Sequence, residues 1–326
     1  MTEKFSAEER ALVRGQNMQP EKLESLLGWY PVVVRNDKLW WRFFGEKRFS
    51  EPFFHNTVSS LDQNKRFCLQ TSFDALDEFE NTLAPTAFIF HISRCGSTLL
   101  AQLLASLPSC VVMSEPPVID SFLRFHYAQP AQSGAEKTLR KIVSALGQKR
   151  SGKERHFFVK LDSWHIGSLL LFRKAFPDTP VIFMYRKPHE VLFSHQRQRG
   201  RQMVPGLVDS AMLELDPEPL SPGDLDGYCV KVLAHFFSAA CRQTDELILL
   251  NYNQLPQIVW SELLDLFSIS HTPTELAAMK SRSSLHSKSA AKFSGDPQPA
   301  AYDIGAELCA TVYPYYEKLE QLRLIE

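Results

Sequence analysis

No stretch of this chain approaches the roughly 18 consecutive apolar residues that a membrane-crossing helix needs, so no span of a bilayer is expected. Met1 to Arg14 is rich in charge and has no apolar centre, so no secretory leader is expected either. Cysteine is sparse and scattered. Cys68, Cys95, Cys110, Cys229, Cys241 and Cys309 form no C-x-x-C pair, and no histidines join them at metal-ligand spacing. That argues against a disulfide framework and against a structural zinc site, and no metal is expected. Excess charge of one sign is missing too: 36 basic against 37 acidic residues leave a net charge of −1. No global field therefore attracts nucleic acid or an anionic membrane, and any anion site must be local. There is no internal repeat and no low-complexity tract. The expectation is a globular protein in a reducing, cytoplasmic setting. Its 326 residues suffice for one large domain or two smaller ones, and 44% hydrophobic with 22% charged content is ordinary for such a protein.

What is present divides into two regions. Residues 1–85 are dense in aromatics, with Trp29, Tyr30, Trp40, Trp41, Phe43, Phe44, Phe49, Phe53 and Phe54. Val32 to Arg35, then Asn36-Asp37, then Lys38 to Phe44 reads as a β-hairpin. This region is either a small satellite core or a cap and partner surface. Residues 86–326 alternate short apolar runs with helical patterns. The runs Ala87 to His91, Cys110 to Met113, His156 to Leu161, Val181 to Tyr185 and Leu247 to Asn251 predict strands. Leu99, Leu100, Leu103, Leu104 and Leu107 recur at helical spacing, and a second helix is predicted over 228–243. The predicted class is α/β: a P-loop-type parallel sheet flanked by helices, beside the small aromatic-rich N-terminal region that contains the hairpin. In such sheets ligands bind beyond the carboxyl ends of the strands. Residues 200–227, broken by Gly200, Pro205, Gly206, Pro217, Pro219, Pro222, Gly223 and Gly227, predict an irregular segment, either a lid or a surface loop.

The segment Phe88 to Leu100 reads as strand, tight small-residue loop and helix start. Backbone N–H groups and the helix dipole converge there on one anion site. A nucleotide-hydrolysing P-loop reads G-x-x-x-x-G-K-[ST]. Here His91 stands in place of its first Gly and Ser97 in place of its Lys, and Arg94 is the loop's basic side chain. The loop suits a phosphate-like group without the usual ATP–metal chemistry. A second strand, Val181 to Tyr185, ends in Arg186; Pro188 follows at a helix start and Ser194 lies about two turns along. A cation at a strand end and a hydroxyl on the helix can hold one phosphate from two sides.

These two elements together strongly resemble the sulfotransferases that use 3′-phosphoadenosine 5′-phosphosulfate (PAPS). The family's P-[KR]-S-G-T-T loop, which binds the 5′-phosphosulfate, appears here as Ser93-Arg94-Cys95-Gly96-Ser97-Thr98. Its Y-R-x-P-x-x-x-x-x-S element, which binds the 3′-phosphate, appears as Tyr185-Arg186-Lys187-Pro188 with Ser194. Its late Y-E-x-L marker appears as Tyr252-Asn253-Gln254-Leu255, with Asn253 in place of Glu. The resemblance covers roughly residues 86–295, and Arg94 in place of Lys is shared with the tyrosylprotein and carbohydrate branch. The family's last phosphate loop, R-K-G-x-x-G-x-x-K, has only the basic, glycine-poor 281–295 segment as a candidate. There Lys288 or Lys292 touches the nucleotide, or the loop is simply solvated.

The resemblance implies PAPS as donor and sulfuryl transfer to a hydroxyl or amine of a small-molecule, carbohydrate or peptide acceptor. It implies donor contacts from Arg94, Cys95, Gly96, Ser97, Thr98, Leu99, Arg186, Ser194 and Tyr252. Arg94 would stabilise the transferring group. Glu115, after the strand that follows the loop helix, would take the acceptor's proton, as an acidic residue does in tyrosylprotein sulfotransferases; alternatively it is a Glu satisfied at a helix N-terminus. Lys160 at a strand end would polarise the leaving group or pair with Asp162. His165 is a rival base or a surface histidine at a helix start. Arg197, Arg199 and Arg201 with His195 would attract an acidic acceptor or form a solvated run. Two other functions compete: an ATP-dependent small-molecule kinase, against which Ser97 in the Walker lysine register argues, and a catalytically degenerate nucleotide-binding module.

Overall fold

The computed structural model describes residues 5–79, 81–129, 133–213, 215, 223–244, 247–288, 291–292 and 305–323. The N-terminal part comprises α1 (Ala7–Val13), β1 (Gln16–Asn17), β2 (Trp29–Arg35), β3 (Lys38–Phe43), α2 (Phe54–Ser59) and β4 (Phe67–Thr71). The predicted hairpin is β2–β3. Asn36 and Asp37 turn it with φ of 49° and 57°, the double positive-φ turn that matches strand twist. Two strands that carry no sequence signal of their own, β4 and the short β1, extend it to a four-stranded sheet of order β1-β4-β3-β2.

The aromatics of this region do form a core. Tyr30, Phe44, Phe49 and Phe54 pack ring on ring with centroids 5.0–5.6 Å apart. That core is not a separate satellite: buried apolar residues run without a break into the rest of the molecule. Polar contacts seal the join. The Gln148 side chain accepts from the Gly28 N–H (2.8 Å) and donates to the Trp29 carbonyl (2.7 Å), and the Ser121 hydroxyl accepts from the Val34 N–H (2.9 Å).

The second part follows the predicted alternation. It runs β5 (Ala87–His91), α3 (Ser97–Ala105), β6 (Cys110–Ser114), α4 (Pro117–Ala128), α5 (Ala135–Leu146), β7 (His156–Lys160), α6 (Leu169–Ala175), β8 (Val181–Tyr185) and α7 (Pro188–Arg197). It continues through α8 (Ser210–Leu213), α9 (Leu225–Cys241), β9 (Leu247–Asn251), α10 (Leu264–Leu266), α11 (Pro273–Ser283), α12 (Ala306–Thr311) and α13 (Tyr313–Arg323). All pairings in its five-stranded sheet are parallel, in the order β6-β7-β5-β8-β9. Strands β5, β6 and β8 are buried along their whole length, as expected where helices cover both faces. α3 buries Leu100, Leu103 and Leu104 and lies against β6 and β7, while α11 packs on α3.

The predicted 228–243 helix is α9, begun earlier by the Asp224 side chain, which accepts from the Gly227 N–H (2.8 Å). The 200–227 segment is less irregular than predicted. A 3₁₀ turn at Arg201–Met203 and α8 anchor it through buried Met203, Met212 and Leu213; residues 214 and 216–222 lie outside the described residues. No helix among the described residues is long and apolar enough to cross a membrane. The five cysteines whose side chains are described are free and buried, and that of Cys309 lies outside the described residues.

The strand order positions the site. From β5 the chain departs to β6 on one side of the sheet, and β8 lies on the other side. The loops after β5 and β8 therefore part at a switch point, leaving a crevice at the strands' carboxyl ends.

Candidate active site

The loop after β5 departs from ordinary backbone geometry. Ser93, Arg94 and Gly96 have φ of 73°, 50° and 82°. For the two non-glycine residues this left-handed conformation costs about 1–3 kcal/mol each, and such strain concentrates at functional sites. The His91 ring holds the loop. Its Nδ1 accepts from the Ser93 N–H (3.0 Å) and its Nε2 donates to the Leu161 carbonyl (2.9 Å). Burial first, and Lys160 second, push this imidazole down to about 4, so it is neutral with its proton on Nε2. The Cys95 thiol, buried and pushed up to about 11, donates to the Met184 carbonyl (3.3 Å) and so ties the loop to β8.

Gly96 caps α3. The first bond in the helix joins the Leu100 N–H to the Gly96 carbonyl (3.1 Å), and the N–H groups of Ser97, Thr98 and Leu99 have no backbone acceptor among the described residues. Such donors, with the helix dipole behind them, favour an anion at this end of α3. The Ser97 and Thr98 side chains are buried and Leu99 is half-buried. Gly96 is required on a second count. A Cβ there would come within 2.6 Å of Leu255 and 2.8 Å of the Tyr252 ring, so the turn after β9 closes directly on the loop.

That turn also holds the second cation. Arg186, 8% exposed, lies with its guanidinium 4.1 Å from the Tyr252 ring centroid and donates from Nε to Glu190 (2.6 Å). Ser194 is half-buried two turns along α7. Arg94 reaches across the crevice from the other side and donates to the Gln198 carbonyl beyond α7 (2.6 Å).

A third cation comes from the strand next to the loop strand. Lys160 closes β7 with no exposed surface, and its ammonium is paired with Glu115, not with Asp162. Glu115 has φ of 54° and donates its own N–H to the Lys160 carbonyl (2.7 Å). Burial opposes its ionisation, but Lys160 and the His91 ring at 3.7 Å outweigh burial and hold the carboxyl well below the usual range. Lys288 is the fourth cation. Desolvation, with Arg94 and Lys160 facing it, lowers its ammonium to about 8. Lys292 differs: it is exposed, and it pairs by backbone with Leu285 in a small bridge. Arg282 anchors this segment to the loop helix by donating to the Gln102 side chain (2.9 Å). Residues 289–290 and 293–295 of the same segment lie outside the described residues.

Two contributors to the site escaped the sequence. Phe53, from the N-terminal part, places its ring 5.2 Å from the Lys160 ammonium and 5.7 Å from that of Lys288. Asp120 on α4 accepts from Trp164 (2.7 Å), His165 (3.2 Å) and Arg124 (3.0 Å). His165 is therefore no surface histidine: it is buried at 1% exposure in this network because α4 and the turn after β7 close over it. Asp120, Asp162 and His165 bring ligand atoms within 4.8 Å of one another, a spacing a cation can use, although Asp120 is already engaged by its three donors. His195 likewise leaves the predicted surface run. It is fully buried, its Nδ1 accepts from the Gly200 N–H (3.2 Å), and burial with nearby Arg94 pushes it down to about 3. Arg199 pairs with Asp226, and Arg201 pairs with Glu8 (2.6 Å) while lying over the Trp164 ring. No sequence signal marks Phe53 or Asp120, because the packing of distant elements brings them to the rim.

No family model matches this chain, and no curated protein does. Several solved structures are similar in outline. The sulfotransferase domain from the curacin biosynthetic pathway is 14% identical, with 72% of this chain and 99% of that one covered and a TM-score of 0.45. A sulfotransferase from Mycobacterium avium is 12% identical, with 63% and 69% covered and a TM-score of 0.44. One from Alicyclobacillus acidocaldarius is 15% identical, with 74% and 96% covered and a TM-score of 0.39. At such identity and overlap these likenesses carry no argument about chemistry. The fold itself is α/β, a five-stranded parallel sheet flanked by helices.

Proposed function

We propose that this protein is a PAPS-dependent sulfotransferase, moving a sulfuryl group to a hydroxyl or amine of a small-molecule, carbohydrate or peptide acceptor. The observation that carries this reading is the cationic crevice. The strained loop with its orphan N–H groups follows β5, Arg186 braced on Tyr252 follows β8 on one side of it, and Lys160 ends β7 on the other, with Lys288 facing Arg94 and Lys160. Two anionic groups at the two ends of one nucleotide suit that spread of charge, and Lys288 is lowered by desolvation first and by Arg94 and Lys160 beside it, so an anion there would favour its charged form. The loop N–H groups, with Thr98, would hold the 5′-phosphosulfate. Arg186 and Ser194, with Tyr252 as brace, would hold the 3′-phosphate. Arg94 and Lys160 would neutralise charge on the transferring group and its bridging oxygen, where fixed cations in a low-dielectric site contribute most. Glu115 would hold Lys160 in place. Arg94 and Glu115 at these positions favour the tyrosylprotein and carbohydrate branch.

An ATP-dependent kinase fits less well. The strand beside the loop strand ends in the buried ammonium of Lys160, which supplies at that spot a positive charge that a kinase would draw from Mg²⁺. The test is thermal melting with 3′-phosphoadenosine 5′-phosphate (PAP) in the absence of metal, against ATP with Mg²⁺. PAP at about 100 times its Kd should add roughly 2.7 kcal/mol of stability. Stabilisation by ATP–Mg²⁺ alone would replace this reading with the kinase, and stabilisation by neither would leave a degenerate module.

A further inference from the structure

Three carboxylates meet at the carboxyl ends of β6 and β7, and two of them are committed. Glu115 is paired with Lys160, and Asp120 accepts from Trp164, His165 and Arg124. The third, Asp162, lies two residues beyond Lys160 at the same strand end. Its side chain accepts no hydrogen bond among the described residues. The nearest ring nitrogen, His165 Nε2, is 3.9 Å from Oδ2, beyond bonding distance, and 13% of the side chain remains exposed. Asp162 therefore has unshared lone pairs in an enclosed place that still opens to solvent.

We infer that Asp162 is the catalytic base of the proposed transfer, in place of Glu115. The inference rests on the sulfotransferase reading and deepens it. The acceptor O–H bond breaks and its proton passes to Asp162. The freed oxygen pair forms the new S–O bond as the S–O bond to the 5′-phosphate breaks, and that pair leaves on the phosphate of PAP.

The electrostatics agree with the geometry. Burial first, then the negative charges of Glu115 and Asp120, raise the Asp162 carboxyl well above the ordinary range, while Lys160 and Arg201 only partly oppose them. The His165 ring also faces it, with Nε2 at 3.9 Å. A base must bind a proton well to be useful, and Glu115, held low by Lys160, binds one poorly.

The experiment is single-turnover release of sulfate from ³⁵S-labelled PAPS, with water as acceptor, followed across pH for wild type, Asp162→Asn and Glu115→Gln. PAP-induced melting shifts are recorded for each. Wild type should rise in rate through an apparent pKa above the carboxylate range. Asp162→Asn should lose about 10²-fold or more and flatten the profile, with its melting temperature and PAP shift kept. Glu115→Gln should keep a pH-dependent rate whose midpoint moves to lower pH, because the charge opposing Asp162 ionisation is gone. An Asp162→Asn enzyme with the wild-type rate and profile overturns the inference. So does Glu115→Gln flattening the profile while Asp162→Asn retains it, or a wild type that binds PAP yet releases no sulfate. A wild type that PAP fails to stabilise instead rejects the sulfotransferase reading itself.

Discussion

A lysine becomes a pH sensor when it is desolvated among other cations. At the rim, desolvation first and then the facing Arg94 and Lys160 lower the Lys288 ammonium to about 8. An anionic ligand favours the charged form, so the sign is fixed. Below pH 8 Lys288 is already protonated and binding needs no proton. Above pH 8 a proton must be taken up with the ligand. Affinity for PAP should therefore be flat below pH 8 and fall by up to about tenfold per unit above it. Lys288→Arg keeps its charge throughout and should remove most of that fall. Titration calorimetry at pH 7 and pH 9 checks both; equal affinities for wild type at the two pH values would place Lys288 outside the ligand's reach. His91, by contrast, stays neutral through this range, because burial and the nearby Lys160 charge push it down to about 4.

At the scale of elements, the loop after β5 works only with the turn after β9 seated against it. Gly96 has φ of 82°, and a side chain there would strike Leu255 and Tyr252. Gly96→Ala should cost about 1–3 kcal/mol from the backbone alone and more from the collision. Pairing it with Tyr252→Ala should recover the collision with Tyr252 but not the backbone share, giving a non-additive double-mutant cycle in urea unfolding. Additivity would mean that loop and turn do not touch. Tyr252→Ala also removes the ring on which the Arg186 guanidinium rests, so it should weaken PAP binding even where stability is restored. The C-terminal helix braces the same edge from behind: Glu320 on α13 accepts from the Tyr185 hydroxyl (2.6 Å) and from Asn251 (3.0 Å), joining the ends of β8 and β9.

At the scale of the whole molecule, the N-terminal sheet shares one core with the parallel sheet. Trp41 is fully buried, stacks on Phe79 at 5.5 Å and donates from its indole to Thr71 (2.9 Å). Trp41→Ala should cost about 3–5 kcal/mol. Because the core is continuous, the loss should lower a single cooperative transition, seen alike by circular dichroism and by fluorescence. Two separated transitions would show that the N-terminal sheet unfolds by itself. Phe53 makes the same point at the site, since a residue of the N-terminal part lies beside two lysines of the crevice.

The five parallel strands, the hairpin with its Asn36-Asp37 turn, and the two loops that carry Arg94 and Arg186 were legible from the residues alone. These are local matters: apolar periodicity, turn chemistry and strand-end placement act within about ten residues. β4 was not, because its run Phe67–Thr71 is too short and mixed to announce a strand without β3 beside it. The pairing of Lys160 with Glu115, the burial of His165 against Asp120 and the open lone pairs of Asp162 arise only once distant elements pack together. Those outcomes depend on which elements from 45 residues away arrive at one rim and on which charges they bring. Desolvation and pairing there set each group's proton affinity, and neither is a property of the local sequence.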